Sequence, residues 1–191
     1  MHPRSRAHNP THPTRPGETP DHVPKPPAIY PGGVSEPQEQ TRWLSQSEMR
    51  AWRAYVIGSE LLRKQLNREL QDGHGLALAD YEVLVRLSER EGRRMRMAQL
   101  AGEVASSKSR LSHQISRLEA AGLVQRVECG DDARGVFAEL TEAGMSRLRT
   151  TAPTHVDGVR THLIDLLTEQ DHQALATIFE RVLEHLDDLD T

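Results

Sequence analysis

Ten of the eleven prolines fall within residues 1–37, and the rest of the 191-residue chain holds one, Pro153. Proline locks φ and has no N–H to donate, so a stretch such as HPRSRAHNPTHPTRPGETPDHVPKPPAIYPGG cannot sustain a helix or a central strand. It also has few apolar groups to bury. Residues 1–40 are therefore expected to be a disordered, proline-rich tail. Its histidines (His2, His8, His12 and His22) match no metal-site spacing and read as solvated tail residues. The segment after the tail is long enough to bury a core, and the helical stripes along it point to a mainly α fold.

Helical signals follow in order. Ser45 and Glu48 have capping-box spacing ahead of a stripe made by Met49, Trp52, Tyr55, Val56, Leu62, Leu66 and Leu70. The sequence DGHG, Asp72 to Gly75, ends this helix, with Gly73 the expected left-handed cap. A second helix is predicted from about Asp80 to Glu91, through Tyr81, Leu84, Val85 and Leu87. A short third runs from about Met97 to Val104. The fourth lies in SSKSRLSHQISRLEAAGLV, with Ser107 as N-cap and Gly122 as stop.

That fourth helix has two distinct faces. Leu111, Ile115 and Leu118 form an apolar stripe. The other side carries Ser109, Arg110, Ser112, His113, Ser116 and Arg117, with no acid before Glu119. A solvated helix face usually mixes charges of both signs, whereas hydroxyls and cations suit a surface of phosphates and hydrogen-bond acceptors. Two helices joined by a short turn form a helix-turn-helix, whose second member enters the major groove. The chain's net charge of −4 gives no global polycation, but residues 86–135 carry +3 and residues 141–191 carry −6. The positive field is local to this segment.

LVQRVE (Leu123 to Glu128) and VFAEL (Val136 to Leu140) read as two short strands around the Gly- and Asp-rich turn CGDDARG. A hairpin directly after a reading helix is a wing, here with Arg134 at its tip. Thr141 then caps a helix that Pro153 is expected to kink or interrupt. A last helix begins near Thr168 and carries Leu175, Ile178, Phe179, Val182, Leu186 and Leu189. The long stripes of the first and last helices suit packing against a second copy.

The stretch SKSRLSHQISRLEAAGLVQRVECGDDARGVFAELTEAG, Ser107 to Gly144, resembles the core signature of the MarR family of bacterial winged-helix transcription regulators. Its most specific piece is Asp-x-Arg followed by Leu-Thr, here Asp132, Arg134, Leu140 and Thr141. The resemblance implies a mainly α fold with a small β-hairpin wing. It divides the chain into a tail (1–40), an N-terminal dimerisation helix (41–76), a winged helix-turn-helix DNA-binding domain (77–140) and C-terminal dimerisation helices (141–191). It further implies a homodimer, in the manner of a ligand-responsive repressor, on a pseudo-palindromic operator in double-stranded DNA. The DNA-contacting set would be Ser107, Lys108, Ser109, Arg110, Ser112, His113, Ser116 and Arg117 on the helix, with Asp132 and Arg134 on the wing. A small aromatic or phenolic anion would bind between the dimerisation helices and the winged unit, where Trp52, Tyr55, His74 and Tyr81 are the candidate lining residues.

Other readings fit less well. The sequence has no phosphate loop, no His-Glu-x-x-His and no nucleophile elbow. Ser112 and His113 are neighbours on a helix, so they point about 100° apart and cannot act as a nucleophile–base pair. Neither an enzyme nor a cofactor is therefore expected. An adaptor on the same fold would not need an acid-free face. Cys129, beside Glu128, Asp131 and Asp132, is in the wrong setting for a reactive thiolate. His155, Asp157, His162, Asp165 and His172 read as a solvated helix surface rather than a metal site. One cysteine and the lack of any long apolar run or leader suggest a cytoplasmic, nucleoid-associated protein.

Overall fold

The computed structural model describes residues 41–129 and 132–189, the side chains at 129 and 132–135 excepted. The proline-rich segment 1–40 and the side chains of Cys129, Asp132 and Arg134 thus lie outside the described residues. The chain divides between Trp43 and Leu44. In the second unit the order is helix α1 (Gln46–His74), helix α2 (Leu78–Ser88), strand β1 (Arg94–Arg96), helix α3 (Met97–Glu103) and helix α4 (Lys108–Ala120). Strands β2 (Val124–Cys129) and β3 (Asp132–Leu140) follow, then helix α5 (Glu142–His162) and helix α6 (Glu169–Leu189).

Helix α1 starts where the capping box predicts. The Glu48 N–H donates to the Ser45 hydroxyl at 3.3 Å, and the Ser45 N–H donates to the Glu48 carboxylate at 2.7 Å. These contacts hold the Glu48 carboxyl below its ordinary pKa, the Ser45 backbone N–H contributing most. At the far end the cap is Gly75, with φ of 61°, and not Gly73, which stays helical. The reason is packing. Leu76 must turn back into the core beside fully buried Leu70, so the left-handed residue has to come immediately before it.

Pro153 does not break α5, which runs unbroken from Glu142 to His162. Its missing N–H orphans the carbonyl of Arg149, and both residues are exposed, so water can replace that bond. Buried Leu148 and Thr151 before the proline and buried Gly158 after it keep both halves on one axis. At Gly158 the helix meets α1 closely. A Cβ there would lie 2.3 Å from Glu69 Oε2 and 2.9 Å from Leu66 Cδ2.

The wing has one strand more than the expected hairpin. β1 pairs antiparallel with β3, placing Met95 opposite Ala138, and the sheet order is β1-β3-β2. Met95, Ala138, Val124 and Leu140 are buried, so one face of the sheet closes on the core made by α2, α3 and α4. That core includes Leu84, Leu87, Leu100, Leu111 and Ile115, none with measurable exposure. Helix α6 buries no residue within the protomer, and the N-terminal half of α1 also leaves its apolar stripe uncovered.

The two glycines at the end of α1 separate the expected cap from the observed one. Gly73→Ala, in a helical conformation with open space at the Cβ position, should stabilise the fold by about 0.5–1 kcal/mol. Gly75→Ala should destabilise it by about 1–2 kcal/mol, the penalty of a left-handed backbone for an L residue. Denaturant midpoints of the two variants, compared with wild type, give the order directly.

Candidate nucleic-acid interface

The turn before α4 spans Val104 to Ser107 and includes Ala105 at φ of 48°. It is held by N–H groups of Ala105 and Ser106, which donate to the carbonyls of Gly102 and Ala101, each at 2.9 Å. Ser107 then caps α4, its hydroxyl accepting from the Arg110 N–H at 3.3 Å. Of the expected DNA-contacting residues, Ser107 is therefore already occupied as a cap, though exposed.

Four side chains of α4 are buried: Leu111, Gln114, Ile115 and Leu118. The apolar three are those of the predicted stripe. Gln114 was not expected there, and it is satisfied by donating to Asp80 Oδ1 of α2 at 3.1 Å. The same carboxylate oxygen accepts from Arg117 at 3.0 Å. Arg117, expected on DNA, thus braces α4 against α2, although its side chain remains 64 % exposed. Ser116 also faces inward in function, donating to the Ser112 carbonyl at 3.0 Å and accepting from Arg126 at 3.1 Å.

What remains on the outer face is Lys108, Ser109, Arg110, Ser112 and His113, all exposed. The structure brings Lys108 and Ser112 together with Arg96, Met97, Ala98, Arg126 and Val136 around one open cleft of about 440 Å³. Among the described residues no carboxylate lines it. The first acid on α4, Glu119, is paired with Arg126. The helix N-terminus adds partial positive charge to the same end.

Arg96 is a residue that the sequence reading missed. It lies on β1, and the guanidinium groups of Arg94 and Arg96 sit 5.5 and 5.4 Å from the ring centre of Phe137 on β3. Stacking of this kind orients a cation. The signal was the cation cluster Arg93, Arg94 and Arg96, visible in the sequence but counted only within the +3 of its region.

The four candidate ligand-lining residues divide into separate surroundings. Trp52 and Tyr55 stack at 5.9 Å, and Tyr55 meets Phe179 of α6 at 5.4 Å. His74 Nε2 hydrogen-bonds the Thr154 hydroxyl at 2.8 Å, and its carbonyl accepts from Arg147. Tyr81 is buried, 4.6 Å from the His155 ring, and the two border a cleft of about 280 Å³ with Glu82, Val85 and Arg86. Burial pushes the Tyr81 hydroxyl up and His155 down from their ordinary pKa values, with Glu82 partly opposing the latter.

Of the group expected to form a solvated helix surface, Asp157 and Asp165 are exposed, but the histidines are not fully so. His155, His162 and His172 are all partly buried, and each turns to a different partner. His162 Nε2 bonds Glu69 at 2.6 Å and His172 Nε2 bonds the Ile164 carbonyl at 3.0 Å. Among the described residues no three such groups converge in a way that could hold a metal ion.

Comparison with known proteins places this geometry. A family model described as MarR family matches residues 74–135, from the end of α1 into β3. The solved structure of AbsC, a MarR family transcriptional regulator from Streptomyces coelicolor, is 50% identical. The match covers 78% of this chain and 99% of that one, with a TM-score of 0.73. A second MarR family transcriptional regulator from Streptomyces coelicolor, solved in complex with DNA, is 43% identical over 76% of this chain and 91% of its own, also at 0.73. A mutant MarR from E. coli complexed with operator DNA is 20% identical over 71% and 94%, at 0.63, a likeness of fold alone. No curated protein matches the chain significantly.

Proposed function

Because this chain belongs to the MarR family of transcriptional regulators, a non-enzymatic, DNA-binding family, we propose that it acts as a ligand-responsive repressor, a homodimer on a pseudo-palindromic operator. The observation that carries this reading is the outer face of α4. Lys108, Ser109, Arg110, Ser112 and His113 are all exposed and none of them is acidic. In the major groove, Arg110 and His113 suit base edges while Lys108 and the serines suit phosphates. Residues 77–140 form the reading unit, with Arg134 entering the minor groove and Asp132 orienting that arginine or the wing turn. Residues 41–76 and 141–191 join the two protomers. Among the described residues no helix is long and apolar enough to cross a membrane, and the proposed place of action is the nucleoid in the cytoplasm.

The relative solved with DNA supports the partner. Salt-dependent gel shifts on the gene's own upstream region test it, and a chain that binds no duplex better than a scrambled one would overturn it. Helix and wing should then fail differently. Arg110→Ala should cost about 1–3 kcal/mol on the preferred site and relax the choice of one base pair per half-site. Arg134→Ala should weaken binding to all sequences and reduce the salt slope by about one unit per lost contact, counted twice in a dimer.

Dimerisation is supported by apolar side chains that one protomer leaves uncovered. On α1 these include Trp52, Ile57 and Leu61, and on α6 Ile178, Val182, Leu183 and Leu186, each more than 40 % exposed. Val182→Asp would place an unpartnered carboxylate in that interface, at a cost of several kcal/mol. The variant should dissociate in sedimentation or size-exclusion experiments at concentrations where wild type is dimeric. A fully dimeric Val182→Asp protein would remove α6 from the interface.

The proposed effector is a small aromatic or phenolic anion seated between the dimerisation helices and the winged unit. The cleft of Tyr81, His155 and Arg86 offers two rings and a cation to such a compound. A ligand that weakens DNA binding must bind the DNA complex less tightly than the free dimer. A panel of hydroxybenzoates should therefore bind the free protein in calorimetry and shift the gel-shift midpoint in parallel. Compounds that do neither would remove ligand control from the proposal.

A further inference from the structure

Beside the apolar contacts of the core, Arg126 of β2 ties helix α4 to the sheet by hydrogen bonds. One guanidinium nitrogen donates to the Ser112 carbonyl at 3.0 Å and to the Ser116 hydroxyl at 3.1 Å. The other pairs with the Glu119 carboxylate. The second oxygen of Glu119 accepts from the Arg126 backbone N–H at 3.1 Å. Arg126 and Glu119 thus close a ring between strand and helix, and the same guanidinium extends the contact back by two turns. Both side chains are partly shielded, at 28 % and 39 % exposure.

We infer that Arg126 is a positioning residue: it sets the rotation and axial placement of α4 relative to the wing, and so governs discrimination between operator and other DNA. This rests on the DNA-binding reading of the α4 face. A planar fork can satisfy acceptors on several turns at once, whereas a lysine ammonium is a single point and cannot span them. Base-edge contacts need their donors held within about 0.5 Å and 10–20°. Phosphate contacts through long flexible cations tolerate more play. Loosening α4 against the wing therefore removes sequence readout before it removes general affinity. Ser116 belongs to the same device, since its hydroxyl is engaged by Arg126 and by the Ser112 carbonyl.

Arg126 also borders the cleft with Arg96 and Lys108, so a direct phosphate contact is the rival role, and salt dependence separates the two. The full-length protein selects a duplex from a random library, and Arg126→Lys and Arg126→Gln are titrated against that duplex and a scrambled one. Both variants should lose about tenfold or more on the selected duplex, change little on the scrambled one, and keep the wild-type salt slope. Wild-type discrimination in Arg126→Lys would overturn the inference, as would a slope reduced by about one unit per protomer. Glu119→Gln removes the anchor instead, covering the case in which the arginine variants do not fold. It should produce the same loss of discrimination, and adding Arg126→Lys should lower it no further; independent, additive losses would also overturn the inference. Failure of the wild type to select any duplex would overturn the DNA-binding reading itself, a different result from normal selection by wild type and variants alike.

Discussion

The exposed outer face of α4 depends on the helix being held along its inner side. Leu111, Ile115 and Leu118 are buried completely or almost so, each contributing about 1.5–3 kcal/mol of apolar burial. Such contacts resist withdrawal of the helix but leave rotation about its axis weakly specified, because apolar packing is not directional. Hydrogen bonds supply the missing direction. Asp80 of α2 accepts from Gln114 and Arg117 on one flank, and Arg126 of β2 donates to the Ser112 carbonyl, the Ser116 hydroxyl and the Glu119 carboxylate on another. Between these two grips the outer residues stay uncommitted to either.

The same division of labour explains why several polar residues of α4 are not free for a partner. A hydroxyl at an N-cap or between a carbonyl and a guanidinium is already satisfied, and removing it from that role costs about 0.5–2 kcal/mol. Ser107 and Ser116 are in that position, and Arg117 shares it through Asp80. The cleft between α4 and β1 instead gathers Lys108 with Arg96. A cationic surface shared by two elements follows a groove better than a single helix does, because phosphates flank the bases on both sides.

At the other end of the unit, Gly158 of α5 packs against the Glu69 and Leu66 side chains of α1, and His162 joins Glu69 across the same junction. The Glu69 carboxyl is held below its ordinary pKa, first by Gln65 and then by His162. This junction carries the winged unit on one side and the uncovered stripes of α1 and α6 on the other. On the inner side of α5, His155 lies against the buried Tyr81 ring of α2.

Local periodicity and capping chemistry were enough to read α1, α4, α5 and α6, the helix-turn-helix and the two long strands of the wing. These signals are intrinsic to a segment: Ser45, Ser107 and Thr141 cap whatever helix follows them, and a stripe at helical spacing marks an inner face without a partner being named. β1 was invisible because three residues with one apolar position carry no period; pairing of Met95 with Ala138 makes it a strand. The choice of Gly75 over Gly73, the unbroken passage through Pro153, and the partners of Gln114, Arg117, Arg126 and the histidines were decided by tertiary structure alone. Each depends on where a distant backbone or carboxylate lies. The sequence determined which face of each helix is apolar; only the assembled fold decided which of those faces the protomer buries and what each polar group beside them would meet, because packing and hydrogen bonds, the latter acting over about 3 Å, join residues far apart in the chain.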